Sequence, residues 1–210
     1  MKYHTKESQD TVTPAKALQF LKEGNIRFQN NLKTHRNLLE QVNDCREGQF
    51  PFAAILSCID SRVSAELIFD QGLGDIFSIR IAGNFVNEDI LGSMEFGAKL
   101  AGAKLVVVLG HTGCGAIKGA CDNVELGNLT KLVAKIKPAV EMVKEPEDEN
   151  LRNSQNPNFV NEVSRKNVIL TIERIRNESK ILNEMEKDGQ LKIVGGMYDV
   201  ATGEVVFFEN

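Results

Sequence analysis

Four stretches of this sequence are apolar on nearly consecutive positions: FAAILS (52–57), IFSIRI (76–81), KLVVVL (104–109) and LKIVGGMYDV (191–200). A strand with one wet face alternates apolar and polar residues, so short continuous runs point to strands covered on both faces, as in a buried parallel sheet. Parallel neighbours need crossover connections, and helix-prone stretches supply them: SAELIFD, ILGSMEFGAKLAG, and a long helical stretch from about residue 160 to 187. That alternation predicts βαβ units. Ala201-Thr202-Gly203 then turns the chain into EVVFFE, expected as an antiparallel edge strand. The expected fold class is α/β: a mostly parallel central sheet with an antiparallel edge strand, flanking helices and an N-terminal helical arm.

The arm begins at Thr13-Pro14, an N-cap followed by proline at the first helical position, after which Ala17, Leu21 and Phe28 recur near helical spacing. Leu21 and Phe28 are expected to pack across a partner subunit. A second short helix is expected over residues 38–45, with Gly48 and Pro51 marking a break, and the polar, proline-containing segment 144–158 reads as a surface loop. No composition break divides the 210 residues, so they form one domain, an arm (1–47) on an α/β core (48–210).

Charge narrows the partners. With a net charge of −4 and scattered lysines and arginines, the chain lacks the basic stripe of a nucleic-acid binder. No apolar run is long enough to span a membrane. The N-terminus MKYHTKESQDTVTP has no apolar signal core, so a cytoplasmic location is expected, or the periplasm if a signal has been removed. Of the histidines, His4 and His35 fall in the arm and read as surface residues.

The third histidine falls elsewhere. KLVVVL runs directly into Gly110-His111-Thr112-Gly113-Cys114-Gly115, and FAAILS runs directly into Cys58-Ile59-Asp60-Ser61-Arg62. Functional groups in open parallel sheets gather beyond the carboxyl ends of the strands. If these two strands are neighbours, Cys58, His111 and Cys114 converge as two thiolates and an imidazole, soft ligands that suit zinc. A lone cysteine there is more often a small buried hydrophobe, and a lone histidine a hydrogen-bonded polar residue. The two motifs together favour the metal, with Gly113 and Gly115 allowing a tight turn. Cys45 and Cys121 read as bystander thiols, which leaves a fourth position for water or Asp60. Asp60 and Arg62 can pair as carboxylate and forked guanidinium, keeping the acid ionised.

The order C-x-D-x-R then H-x-x-C, each after an apolar strand, resembles the beta-class carbonic anhydrases. The similarity runs from about Gln49 to Cys121 and resumes at GGMYDV. The resemblance implies one zinc per chain on Cys58, His111 and Cys114, with Asp60 and Arg62 as catalytic dyad. It implies that Gln49 reaches the neighbouring subunit's site and that the Gly115 N–H faces the substrate oxygen, so a homodimer or dimer of dimers is expected. Phe77, Ala82 and Phe96 match positions lining the family's small apolar pocket, and ordinary core packing would suit them equally. Some members carry a second, inhibitory bicarbonate site. Arg80 and Tyr198 match two of its positions, but Ile55 stands where its tryptophan would be, so bicarbonate is not expected to inhibit cooperatively.

The implied activity is the reversible hydration of carbon dioxide to bicarbonate and a proton, a small-molecule reaction in which zinc activates water and Asp60 orients it. Two alternatives stay open on the residues alone. One is a zinc hydrolase of another small carbonyl or thiocarbonyl compound such as carbon disulfide; the other is a non-catalytic, zinc-stabilised interaction domain.

Overall fold

The computed structural model describes residues 5–208, so His4 and Glu209, the last residue of EVVFFE, lie outside it. Its centre is a five-stranded sheet of β1 (Ala53–Ser57), β2 (Ile76–Arg80), β3 (Leu105–His111), β4 (Lys192–Tyr198) and β5 (Val205–Phe207), in the order β2-β1-β3-β4-β5. The first four strands run parallel and β5 returns antiparallel, as the apolar runs and the Ala201-Thr202-Gly203 turn predict. Helices α1 (Lys6–Asp10), α2 (Pro14–Gln29) and α3 (Leu38–Asp44) precede the sheet. Between β1 and β3 lie α4 (Ala65–Ile68) and α5 (Glu88–Glu95), the latter continuing as a π-helical turn, Phe96–Leu100. Between β3 and β4 come α6 (Gly115–Cys121), α7 (Gly127–Ala134), α8 (Lys137–Met142), α9 (Pro157–Glu178) and α10 (Lys180–Lys187). None of the described helices is long and apolar enough to cross a membrane.

Strands β1 and β3 are buried along their whole length, and the pleat divides their side chains between two layers. Ala53, Ile55, Leu105, Val107 and Leu109 pack with Ala17 and Leu21 of α2 and Ile68 of α4. Ala54, Leu56, Val106 and Val108 pack with Val168, Ile172 and Ile175 of α9 and Leu182 of α10. Both faces are covered, which is why these strands carry no polar alternation.

Three expectations change on contact with the fold. Leu21 is fully buried and Phe28 packs against the same cluster, so the side chains expected to reach a partner belong to this chain's own core. The long helix divides at Ser179, which adopts an extended conformation and caps α10 by accepting from the Leu182 N–H. The 144–158 segment lies at the surface as expected but is not all loop: Glu149–Leu151 form a 3-10 turn, residues 157 and 158 open α9, and Arg152 ties the segment down by donating to the carbonyls of Val140, Val143, Lys144 and Pro146.

The arm is also pinned by charge. Asp70, whose side chain is 4% exposed, accepts from Arg27 Nε at 2.5 Å, Arg36 Nη1 at 2.5 Å and Thr34 Oγ1 at 2.8 Å. Burial alone would raise its pKa, but Arg27, Arg36 and Thr34 outweigh burial and hold the carboxyl at about 2. A depressed carboxyl stabilises the fold above its unfolded pKa, about 4, and loses that contribution as pH falls toward about 2. Asp70→Asn is therefore expected to cost about 3 kcal/mol at pH 7, because it leaves buried guanidinium groups without their carboxylate. In urea titrations the deficit should shrink between pH 4 and pH 2. An equal deficit at pH 7 and pH 3 would refute this account.

Candidate metal centre

The chain passes from β1 to β2 on one side and later sets β3 on the other, so the strand order reverses between β1 and β3. Such a reversal opens a crevice beyond the carboxyl ends of the two strands. Register pairs Ser57 with Leu109, so Cys58, just past the end of β1, lies beside Gly110 and His111, the last residues of β3. Gly113, at φ +64°, occupies the left-handed region and turns the chain so that Cys114 can cap α6. That turn is held from outside: the Gly113 N–H donates to Asn161 Oδ1 at 3.2 Å, and the Thr112 N–H to the Tyr198 carbonyl at 3.0 Å.

The result is a buried cluster. The ligand atoms of Cys58, His111 and Cys114 lie within 4.8 Å of one another. His111 Nδ1 sits 3.0 Å from the Thr112 carbonyl, which selects the tautomer protonated there and leaves Nε2 with a bare lone pair. Nε2 is buried and has no hydrogen-bond partner among the described residues. Left so, such an acceptor costs about 1–3 kcal/mol.

The two sulfurs are 3.8 Å apart, with both cysteines free thiols. The Cys114 thiol shares its proton with Cys58 and pulls the Cys58 pKa down to about 4, against the cost of burial. His111 and the N–H groups of Gly83 and Asp60 add to that effect. Cys114 is correspondingly pushed far up, by Cys58 first and by burial second. A thiolate, a second sulfur and an unfilled imidazole lone pair around one buried point form a donor set that fits zinc.

Asp60 stands just outside this cluster. Arg62 grips it with both arms of the guanidinium, Nε to Oδ1 at 2.9 Å and Nη2 to Oδ2 at 2.8 Å, and the Arg62 N–H adds a bond to Oδ1 at 3.0 Å. The Arg62 side chain holds the carboxyl well below the usual carboxylate range in spite of some burial. Asp60 is therefore an acceptor throughout the neutral range.

The remaining candidates are dispersed. Gln49 is exposed and precedes β1, whereas Cys58 follows it, so the length of an extended strand, roughly 16 Å, separates the two. Phe77 and Phe96 meet edge to face at 6.3 Å and line a cavity of about 730 Å³ with Ile79, Glu88 and Ser93, along the free edge of β2. Phe77 pairs with Ala54, three positions before the end of β1, away from the sulfurs. Ala82 adjoins Gly83, whose N–H donates to Cys58 Sγ at 3.4 Å. Gly115 opens α6 beside open space. Cys45 caps α3 and Cys121 closes α6, buried and pushed up to about 11 mainly by that burial; neither joins the cluster. Ile55 is packed in the core, and Tyr198 ends β4 opposite His111. Thr112, Asn161 and Gly83, which hold the ligands in place, carry no sequence signal for this, since each bond is donated by a backbone N–H to a partner distant in sequence.

Comparison with known proteins gives a consistent result. The family model for carbonic anhydrase matches residues 53–205. Carbonic anhydrase 2 of Mycobacterium tuberculosis is 34% identical over 203 residues, covering 94% of each chain. The carbonic anhydrase of Mycolicibacterium smegmatis is 31% identical, covering 91% of this chain and 92% of its own. Among solved structures, the beta-carbonic anhydrase CcaA superposes with a TM-score of 0.71 at 25% identity, over 91% of this chain and 95% of that one. With the family model spanning both motifs and the parallel sheet placing them at one crevice, the chain belongs to the beta-class carbonic anhydrases.

Proposed function

We propose that this chain catalyses the reversible hydration of carbon dioxide to bicarbonate and a proton at a zinc centre held by Cys58, His111 and Cys114. The observation that carries the reading is the buried meeting of two sulfurs and an unpartnered imidazole nitrogen beside an arginine-held carboxylate. Zinc held there supplies the Lewis acidity that makes water a nucleophile near neutral pH, chemistry for which carbonic anhydrases with three histidines are the standard example.

The residues around that point orient the reaction. Asp60, ionised by its pairing with Arg62, accepts a hydrogen bond from the attacking water at a carboxylate oxygen and so directs the oxygen lone pair toward the substrate carbon. Arg62 keeps both carboxylate oxygens occupied and holds Asp60 away from the sulfur ligands. The Gly115 N–H, at the open start of α6, stabilises the oxygen on which charge develops. Gln49 cannot serve its own chain's site from the far end of β1, so we assign it to a neighbouring subunit's site. The active unit is accordingly a homo-oligomer, at least a dimer. Phe77, on the free edge of β2, and Phe96, at the start of the π-helical turn packed beside it, would contribute an apolar wall across the same interface, with Ala82 on the near side. Exposed Leu32, Leu38, Leu39 and Val42 give the arm an apolar surface suited to that contact.

The test is stopped-flow hydration of carbon dioxide by metal-analysed protein, alongside ester and carbon disulfide hydrolysis and sedimentation. Carbon dioxide hydration by a zinc-loaded oligomer is expected. Turnover of carbon disulfide alone would redirect the substrate. Stoichiometric zinc with no turnover at any pH would make the centre structural.

A further inference from the structure

Arg80, the last residue of β2, makes contacts that neither the zinc ligands nor the catalytic dyad explain. Its Cα lies in register with Ser57, one strand away from the start of the Cys58–Arg62 loop. From there Nε donates to the Cys58 carbonyl at 3.0 Å and Nη2 donates to the Asp60 carbonyl at 2.6 Å. It forms no ion pair with a carboxylate among the described residues, so the guanidinium serves carbonyl groups and not a charge partner.

We propose that Arg80 is a positioning residue for the metal centre, and this rests on the zinc reading above. A peptide group is planar, so fixing a carbonyl fixes the plane that follows its residue. By holding the carbonyls of Cys58 and Asp60 with one rigid fork, Arg80 sets the peptide plane that joins Cys58 to Ile59 and the one that joins Asp60 to Ser61. It thereby sets the directions in which Cys58 Sγ and the Asp60 carboxylate leave the backbone. No regular structure holds residues 58–60, which follow directly after β1. The same part of the chain supports Cys58 from a second direction. The Ile81 N–H donates to the Ser57 carbonyl at 3.1 Å and the Gly83 N–H donates to Cys58 Sγ. Buried Asn167 on α9 in turn donates to the Gly83 carbonyl at 2.8 Å. Arg80 is thus the side-chain member of a bracket, residues 80–83, that cradles one ligand and its neighbouring carboxylate.

A guanidinium and an ammonium differ here in a testable way: the first offers two donors at fixed separation, the second a single point. Arg80→Met is expected to speed zinc loss to a chelator by about tenfold or more, as removal of outer-shell support to a metal ligand does elsewhere. The cobalt-substituted protein should show an altered visible spectrum, reporting a changed ligand arrangement. Far-UV circular dichroism and the Tm of the metal-free form should stay close to the parent, because the residue lies exposed at a sheet edge. Arg80→Lys should fall between parent and Arg80→Met, and it decides the question if the methionine variant does not fold. Parent-like zinc release and cobalt spectra in both variants, or in the lysine variant when it alone folds, would overturn the proposal while leaving the zinc centre intact. A parent protein that takes up no zinc would overturn both.

Discussion

Cys114→Ser is expected to abolish stoichiometric zinc and, with it, carbon dioxide hydration. The hydroxyl is a hard, feebly acidic donor in place of a soft thiolate, and the pocket offers no replacement sulfur: Cys121 is buried at the far end of α6 and Cys45 lies in the arm. A readout independent of turnover accompanies this. Under the proposed ligation, zinc in the parent would be held by His111 Nε2 and the two cysteine sulfurs of the folded state alone, so Tm should rise with zinc concentration. In the variant, Tm should be insensitive to zinc. Metal analysis by mass spectrometry and calorimetry with and without zinc provide the check. A serine variant that retains full zinc and activity would refute the ligand assignment.

Asp60→Asn is expected to keep its zinc and lose about a hundredfold in kcat, the order of loss that misplacing a reacting group brings. The amide can still lie beside Arg62 but presents one oxygen where the carboxylate presents two, and that uncharged oxygen is a weaker acceptor for the hydrogen bond that aims the water. The pH dependence separates the parts played by Asp60 and by water. Because Arg62 depresses the Asp60 pKa, the carboxylate is ionised above its unfolded pKa, and its contribution is lost only under strongly acid conditions. A rise in activity through the neutral and alkaline range therefore belongs to the water. Two thiolates offset the charge of a dication, so that rise should come late, with low activity near pH 7 and a climb above about pH 8. Asp60→Asn should lower the plateau, whereas Arg62→Ala, which frees the carboxylate to compete for the metal, should push the rise further alkaline or remove it. Stopped-flow pH–rate profiles of the three proteins, with bicarbonate varied, test this. An unchanged plateau in Asp60→Asn, or steep cooperative inhibition of the parent by bicarbonate, would contradict it.

What could be read in the sequence was what local chemistry controls. The strands were visible because burial on two faces removes polar residues, and Cys58, His111 and Cys114 were visible because the short stretches that hold them, Cys58–Arg62 and Gly110–Gly115, directly follow such runs. The edge strand was visible from the Ala201-Thr202-Gly203 turn. The break at Ser179 was not, because a serine in a helical pattern caps a new helix only when the chain changes direction, and tertiary packing decides that. Helices α7 and α8 escaped for a related reason: each is short, and α8 begins in a turn ahead of Pro138 without a side-chain cap. Leu21 and Phe28 show the limit most directly. Helical spacing identifies an apolar face but does not say which subunit covers it, and here the chain covers its own. Arg80 matched, by the resemblance alone, one position of a bicarbonate site that is not expected here, and spacing could not show that the fold turns its Nε and Nη2 to two carbonyls.

The pairing of β1 with β3 has a bearing on how the protein comes by its metal. Cys58 and Cys114 are 56 positions apart in sequence, and they meet only after a parallel pairing that skips over β2 has closed. Non-local pairings of this kind form slowly, because the chain must lose loop entropy before any contact compensates it. A nascent chain offers only the short-range pair His111 and Cys114, a two-donor grip without the second sulfur. Under the proposed ligation such a chain would emerge from the ribosome with little hold on zinc, and the ion would be captured by a sheet already assembled. Supply of zinc during synthesis should therefore matter less to the yield of folded protein than its supply afterwards matters to the yield of active protein.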